Sequence, residues 1–449
     1  MSEKNGSFPA DFVWGAATAS YQIEGAVDED GRGESIWDRF TATPGKILNG
    51  DHGGVACDSY HRYREDVRLV RELGLDAFRF SIAWPRIVPE GRGRPNPAGL
   101  DFYDRLVDEL LADGVEPFAT LYHWDLPQPL EDRGGWPARE TVDAFTDYVE
   151  VVAAHLGDRV SRWITQNEPW VASWLGYGWG EHAPGRRSEA EALAAAHHIL
   201  LAHGRAAEVL RRDAPGAQVG IAIDLVPIHS LTDSEGDLAA ARAQDGFRNR
   251  WILDPVLRGE YPSDMLERFG DNLPRIADGD LRTISAPLDF LGVNYYSRNI
   301  VRAGPDDGKP VLVEMDGERT GMGWEVYPDA LHELLVRLDH EYELPRLYIT
   351  ENGAAFTDDR RNGHVEDPQR TSYLERHLEA ITRAIEDGVS VGGYFVWSLL
   401  DNFEWARGYS QRFGIVYVDF ETLERIPKAS YGWYRDFIAA QKGPAAAEV

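Results

Sequence analysis

Eight short apolar runs, each rich in β-branched or aromatic residues, alternate with amphipathic helical stretches along the whole chain. Few architectures accept that alternation. The runs cover residues 12–19, 77–84, 117–124, 163–168, 219–224, 290–296, 347–351 and 393–399. Between them apolar residues recur at helical spacing: Leu100, Tyr103, Leu106, Val107, Leu110 and Leu111 before Gly114, and Val142, Phe145, Val149, Val152 and Leu156. Further stripes follow at 190–210, at Leu331, Leu334, Leu335 and Leu338, and at Tyr373, Leu374, Leu378, Ile381 and Ile385 before Gly388. Eight strand–helix units predict an α/β fold of the (β/α)8 TIM-barrel type. A doubly wound sheet is the alternative; it usually carries a glycine-rich phosphate turn after its first strand, and none is seen. No repeat or low-complexity linker divides the chain, so residues 1–449 are expected to form one catalytic domain with an ordered core of about 8–440 and elaborated βα loops. Segments 231–237, 301–327 and 357–367 read as loops, and 443–449 as a mobile tail.

Charge narrows the partners. The chain has 46 basic and 75 acidic residues, a net charge of −29, which opposes nucleic acid and anionic membrane surfaces. No apolar stretch approaches the roughly 18 residues of a membrane span, and residues 1–7 lack a secretory leader's basic start and apolar run. Cys57 stands alone, so no intrachain disulfide can form; a cytoplasmic location is expected. Lysine occurs only at 4, 46, 309, 428 and 442. Genome composition and adaptation to salt both account for that bias. No His or Cys cluster has metal-ligand spacing, so neither metal nor cofactor is expected.

A barrel of this type builds its active site at the C-terminal strand ends. There the sequence places Arg79 on the second strand, His123 and Trp124 on the third, and Asn167 and Glu168 on the fourth. Asn294, Tyr295 and Tyr296 end the sixth strand, and Glu351 and Asn352 the seventh. Trp397 ends the eighth, with Asp401, Glu404 and Trp405 beyond; Gln22 and Glu24 follow the first. Polar residues closing so many consecutive apolar strands imply one convergent pocket. Glu168 and Glu351 stand out, because cleavage of a glycosidic bond needs two carboxyls, one to protonate the leaving oxygen and one to meet positive charge at the anomeric carbon. Taken singly, either could be a member of a structural ion pair.

Four motifs together carry a resemblance. Residues 12–25 read FVWGAATASYQIEG, 165–169 read TQNEP, 349–353 read ITENG and 398–405 read SLLDNFEW. In this order and spacing the chain, over residues 8–437, resembles glycoside hydrolase family 1, the β-glucosidase family. The resemblance implies a retaining β-glucosidase acting on small β-glucosides, aryl or oligosaccharide, with side activity on β-galactosides and fucosides. By residue, it implies Glu351 as nucleophile and Glu168 as acid/base. Gln22, His123, Asn167, Glu404 and Trp405 are implied as glycone ligands, with Trp397 as a stacking floor. Asn294 and Tyr296 flank the nucleophile, and Arg79 keeps it ionised. Trp124, Trp170, Trp324 and His182 are expected in pocket walls or at the aglycone, and a cis peptide between Trp397 and Ser398.

Other residues read as structural: His61, His197, His198 and His203 as ordinary helix residues, Trp163, Trp251 and Trp433 as packing, Asp401 as a structural carboxylate. Trp174, Tyr177 and Trp179 are balanced between packing and the aglycone side. Gln166 departs from the apolar residue usual in the family. A 6-phospho-β-glucosidase is the nearest rival enzyme, but its subgroup replaces the Glu404 equivalent and adds a lysine. A non-catalytic sugar-binding barrel usually lacks one of the two glutamates. A homo-oligomer is compatible with the sequence, which does not set the oligomeric state.

Overall fold

The computed structural model describes residues 8–305 and 308–443. Eight parallel strands close into a barrel: β1 (Val13–Ala17), β2 (Ala77–Ser81), β3 (Glu116–Thr120), β4 (Arg162–Asn167), β5 (Gln218–Asp224), β6 (Phe290–Asn294), β7 (Arg346–Asn352) and β8 (Val391–Trp397). Each pairs with its neighbours in sequence, and β8 returns to β1 through Val13↔Gly393 and Ala17↔Trp397. The fold is therefore the expected (β/α)8 barrel. Most strands stop short of the predicted apolar runs. The motif residues leave the ladder to face the pocket: Trp124 and Glu168 both have positive φ, 78° and 50°, a conformation uncommon for residues other than glycine.

Side chains fill the barrel interior. Phe118, Ile164, Phe290, Tyr348 and Phe395 are buried there with Ala17, Ala77 and Ala222. Large and small residues interlock: a Cβ at Gly15 would lie 2.2 Å from the Phe395 ring, so only glycine lets β8 close on β1. Outside, the helices Pro97–Ala112, Glu140–Leu156, Glu189–Asp213, Asp329–Glu341 and Pro368–Glu386 contain the predicted stripes. Among the described residues no helix is long and apolar enough to cross a membrane, and no group of three metal-ligating side chains is placed to hold a cation.

Three segments read as loops contain regular structure. Segment 301–327 belongs in part to a small sheet, in which Asn299–Ala303 pairs with Ile228–Ser230 and Pro310–Val313. Segment 231–237 runs into the helix Glu235–Asp245, capped by the Ser234 side chain. Segment 357–367 forms the hairpin Asp359–Arg361 with His364–Glu366. These strands are only three to five residues long, too short to show the alternation that marks a half-buried strand. Of the predicted tail, residues 444–449 lie outside the described residues. Asp401 is structural as expected, held by Lys428 at 2.8 Å and Arg412 at 2.6 Å.

Many arginines pair with surface acids, as Arg39 does with Glu34 and Asp132, Arg159 with Asp104 and Asp108, and Arg360 with Asp419 and Glu424. Exposed pairs contribute only about 0–1 kcal/mol each, and the excess of 29 negative charges persists. Salt screens that excess repulsion as the Debye length falls from about 10 Å at 0.1 M to about 3 Å at 1 M. The melting temperature is therefore expected to rise between low salt and about 1 M sodium chloride. A flat or falling curve would assign the arginine bias to genome composition.

Candidate active site

The cavity at the C-terminal strand ends has a volume of about 920 Å³, within the range of small-molecule sites. Glu168, Glu351, His123, Trp124, Asn294, Tyr296, Trp324, Trp397, Glu404, Trp405 and His182 all line it. Gln22, Asn167 and Arg79 stand behind this wall, each 0–1% exposed. The structure thus gathers every predicted site residue into the cavity or onto its supporting layer.

Glu351 ends an apolar strand and is 3% exposed. A buried carboxylate needs partners, and it has them. Arg79 donates to Oε1 at 2.6 Å, and the Tyr296 hydroxyl donates to Oε2 at 2.6 Å. Arg79 is oriented in turn by the Thr350 carbonyl at 3.0 Å and by Asn167 Oδ1 at 2.6 Å. Burial pushes the Glu351 carboxyl up, while Arg79, Tyr296 and Asn294 hold it down. Glu168 is 5% exposed and sits between charges of its own sign. Burial, Asp224 and Glu351 push its carboxyl well above the ordinary range, against the pull of Asn294 and Arg248. The Asn294 amide donates to Glu168 Oε1 at 2.6 Å and to Asn167 Oδ1 at 3.1 Å. The Asn294 amide thus ties Glu168 to Asn167, which Arg79 links to Glu351, and both carboxyls line the same cavity. In this coupled pair the resting proton belongs on Glu168.

On the far side of the pocket, Gln22 Nε2 donates to Asn402 Oδ1 at 3.0 Å and to the Phe403 carbonyl at 2.8 Å, and reaches Glu404 Oε2 at 3.5 Å. Its Oε1 is buried without a partner, as is Nδ1 of His123. Such orphaned groups are costly unless a ligand satisfies them. Asn167 Nδ2 lies 3.1 Å from His123 Nε2. Burial and Arg79 hold the His123 imidazole well below its usual range, hence neutral. Burial and Glu351 push Glu404 up to about 8.

Aromatic rings complete the walls. Trp405 lies 4.6 Å from Trp124 and has positive φ, 47°. His182 packs 5.5 Å from Trp124, and Trp324 5.4 Å from Tyr296. Trp397 lies over His123 at 5.9 Å, and the peptide bond from Trp397 to Ser398 is cis, as expected. Trp170 lines the cavity with Arg248 over its ring at 3.9 Å. Trp174 and Tyr177 are packing residues: Trp174 meets Phe247 at 4.6 Å, and Tyr177 donates to Glu131 at 2.8 Å. Trp179 is 43% exposed and meets the edge of Trp170 away from the lining. Asp224 and Arg248 are lining residues that the motifs do not reach. Asp224 closes β5, so the strand-end rule alone singles it out. Arg248 sits in the π-helical turn Gly246–Arg250, with no motif around it.

Comparison with known proteins agrees with this geometry. The model of the family described as glycosyl hydrolase family 1 matches residues 4–443. β-Glucosidase A of Thermotoga maritima is 48% identical over 96% of this chain and 97% of its own length. Thermostable β-glucosidase B of Thermobispora bispora is 51% identical, over 96% and 90%. A bifunctional β-D-glucosidase/β-D-fucosidase of Bifidobacterium breve is 48% identical, over 96% and 98%. The solved family 1 β-glucosidase of T. maritima superposes with a TM-score of 0.96 at 47% identity, covering 98% of this chain and all of that one; its complex with deoxynojirimycin gives 0.95. With the family model spanning nearly the whole chain and the barrel matching from end to end, this chain belongs to glycosyl hydrolase family 1.

Proposed function

We propose that the chain is a single-domain, retaining β-glucosidase that releases terminal β-D-glucosyl residues from aryl glucosides and cello-oligosaccharides. The observation that carries this is the unequal treatment of two buried carboxyls around one point. Glu351 is held by Arg79 and Tyr296, and Glu168 is flanked by Asp224 and Glu351. Retaining hydrolysis needs such a pair. Glu351 Oε attacks the anomeric carbon while Glu168 gives its proton to the leaving oxygen. Esterification removes the Glu351 charge, Glu168 ionises more readily, and it takes a proton from the water that breaks the ester. Asn167, already aligned by Arg79 and Asn294, is placed for the sugar 2-hydroxyl, whose contact tightens in the transition state. Gln22, His123 and Glu404 present the remaining polar edge, and Trp397 the apolar face. Side activity on β-fucosides and galactosides follows if Gln22 and Glu404 grip the 4-hydroxyl in either configuration; a relative is named for the fucosidase activity. The lone buried Cys57 supports a cytoplasmic, reducing setting.

The substrate is unphosphorylated in this reading. Glu404 occupies the glycone end beside Gln22, and burial plus Glu351 already raises it to about 8. A phosphate dianion there meets a carboxyl that must stay protonated or repel it. Comparing kcat/KM for 4-nitrophenyl β-glucoside and its 6-phosphate tests the assignment. The unphosphorylated glycoside is expected to dominate by at least about a hundredfold, the scale of one misplaced charged contact. Preference for the phosphate overturns the substrate class, and inactivity on every glycoside points to the non-catalytic alternative.

A further inference from the structure

A second ion pair, Asp224 with Arg248, lines the same cavity as the Glu168 carboxyl. Asp224 is the last residue of β5, and β5 runs beside β4, where the Glu168 amide donates to the Ala222 carbonyl at 2.9 Å. The register pairs Asp224 with Asn294, whose amide holds Glu168 Oε1. Asp224 and Glu168 therefore project into the same cavity from adjacent strand ends, and both line it. Arg248 reaches in from the turn Gly246–Arg250 and bonds Asp224 Oδ2, its guanidinium spread over the Trp170 ring. The pair is only half satisfied. Asp224 Oδ1 and Arg248 Nη1 are both buried without a hydrogen-bond partner. A pair kept purely for stability rarely leaves both partners with an orphaned atom.

We propose that Asp224, clamped by Arg248, is a positioning residue for the acid/base step: its charge holds the proton on Glu168 through the first half-reaction and keeps Glu168 a strong base in the second. Burial raises the Asp224 carboxyl above its ordinary value and Arg248 opposes that rise, so the clamp favours the charged form. The inference rests on Glu168 being the acid/base residue. It goes beyond the usual pair because the Asp224 charge does not vanish when Glu351 becomes an ester.

The other groups around Glu168 do not replace this effect. Across the pocket stand Glu351 on β7 and the Tyr296 hydroxyl bonded to it. Behind lies Arg79 on β2, committed to Glu351 and Asn167. His123 after β3 and His182 are both neutral, pushed down by burial. Glu404 after β8 is turned toward Gln22. Asp224 is the first of the charges that raise Glu168, ahead of Glu351, and Arg248 opposes it more weakly.

The test is the pH dependence of kcat/KM, which reports the free enzyme's groups. Activity is lost on the basic side as Glu168 gives up its proton. Removing the Asp224 charge lowers the affinity of Glu168 for that proton, so Asp224→Asn is expected to move the basic limb to lower pH. Asp224→Glu keeps the charge and should leave the limb near its wild-type position. The double variant Asp224→Asn with Arg248→Gln leaves no unpaired guanidinium; it should move the limb in the same direction by less, and it carries the test if the single variant does not fold. Thermal melts confirm folding in each case. A merely structural role predicts lower stability with an unmoved limb. An unmoved limb in the folded variants, or a shift to higher pH, overturns the proposal. If instead Glu168→Ala keeps a wild-type basic limb, the acid/base assignment itself fails, and the two failures are distinct.

Discussion

Replacing Glu351 by glycine is expected to lower hydrolysis of 4-nitrophenyl β-glucoside by roughly a millionfold, the scale seen when a covalent nucleophile is removed. The loss should be in kcat, because the proposed glycone ligands Gln22, His123 and Glu404 are untouched. Arg79 is left facing a cavity where its carboxylate partner stood, 1% exposed and still bonded to Asn167 and the Thr350 carbonyl. That arrangement is a ready anion site. Added azide is expected to enter it, attack the anomeric carbon from the face Glu351 used, and restore turnover. Glu168 still protonates the leaving group, so the product is the α-glucosyl azide. Proton NMR of the product decides the matter. A β-azide would place the nucleophile at Glu168, and no rescue with an otherwise folded protein would remove the covalent step.

Much of this site could be read from residue order. Glu168, Glu351, Asn294 and Trp397 each sit within two residues of the end of an apolar run, and the barrel places such ends together. What is read that way is position along a strand. Partners across strands are less legible, because they depend on which rotamer closes a contact. Arg79 is a lone cation inside an apolar run in the sequence, and only the barrel closure puts it on both Glu351 and Asn167. The aromatic residues divide for the same reason. Trp124 ends an apolar run and lines the cavity, whereas Trp174, balanced in sequence between packing and the aglycone side, is drawn against Phe247. Arg248 was out of reach altogether: it falls in a π-helical turn with no motif around it, and only the fold lays its guanidinium across Trp170 and onto Asp224. The same limit explains the small sheet over the pocket, whose strands pair across about 70 residues of chain, as His229 does with Ile300.

Replacing Glu168 by alanine is expected to separate substrates by their leaving groups. An alkoxide from cellobiose is a poor leaving group and needs the proton that Glu168 holds, so its hydrolysis should fall by about 10²- to 10⁴-fold, the usual worth of general acid catalysis. A 2,4-dinitrophenolate needs no proton. Its departure should proceed at close to the wild-type rate, because Glu351 keeps both Arg79 and Tyr296. The glycosyl ester then persists, since no base remains to activate water, and a burst of dinitrophenol followed by slow turnover is the expected trace. Azide needs no base, so it should relieve the slow step and give the β-glucosyl azide, the opposite anomer to that from the Glu351 variant. The pH profile supplies an independent sign. In the wild type, activity on 4-nitrophenyl β-glucoside is expected to fall on the basic side as Glu168 ionises, with burial, Asp224 and Glu351 moving that fall upward. Without the carboxyl there is no proton to lose, and the basic limb of kcat/KM should disappear. Equal losses on cellobiose and the dinitrophenyl glucoside, with the basic limb intact, would show that Glu168 serves binding rather than proton transfer.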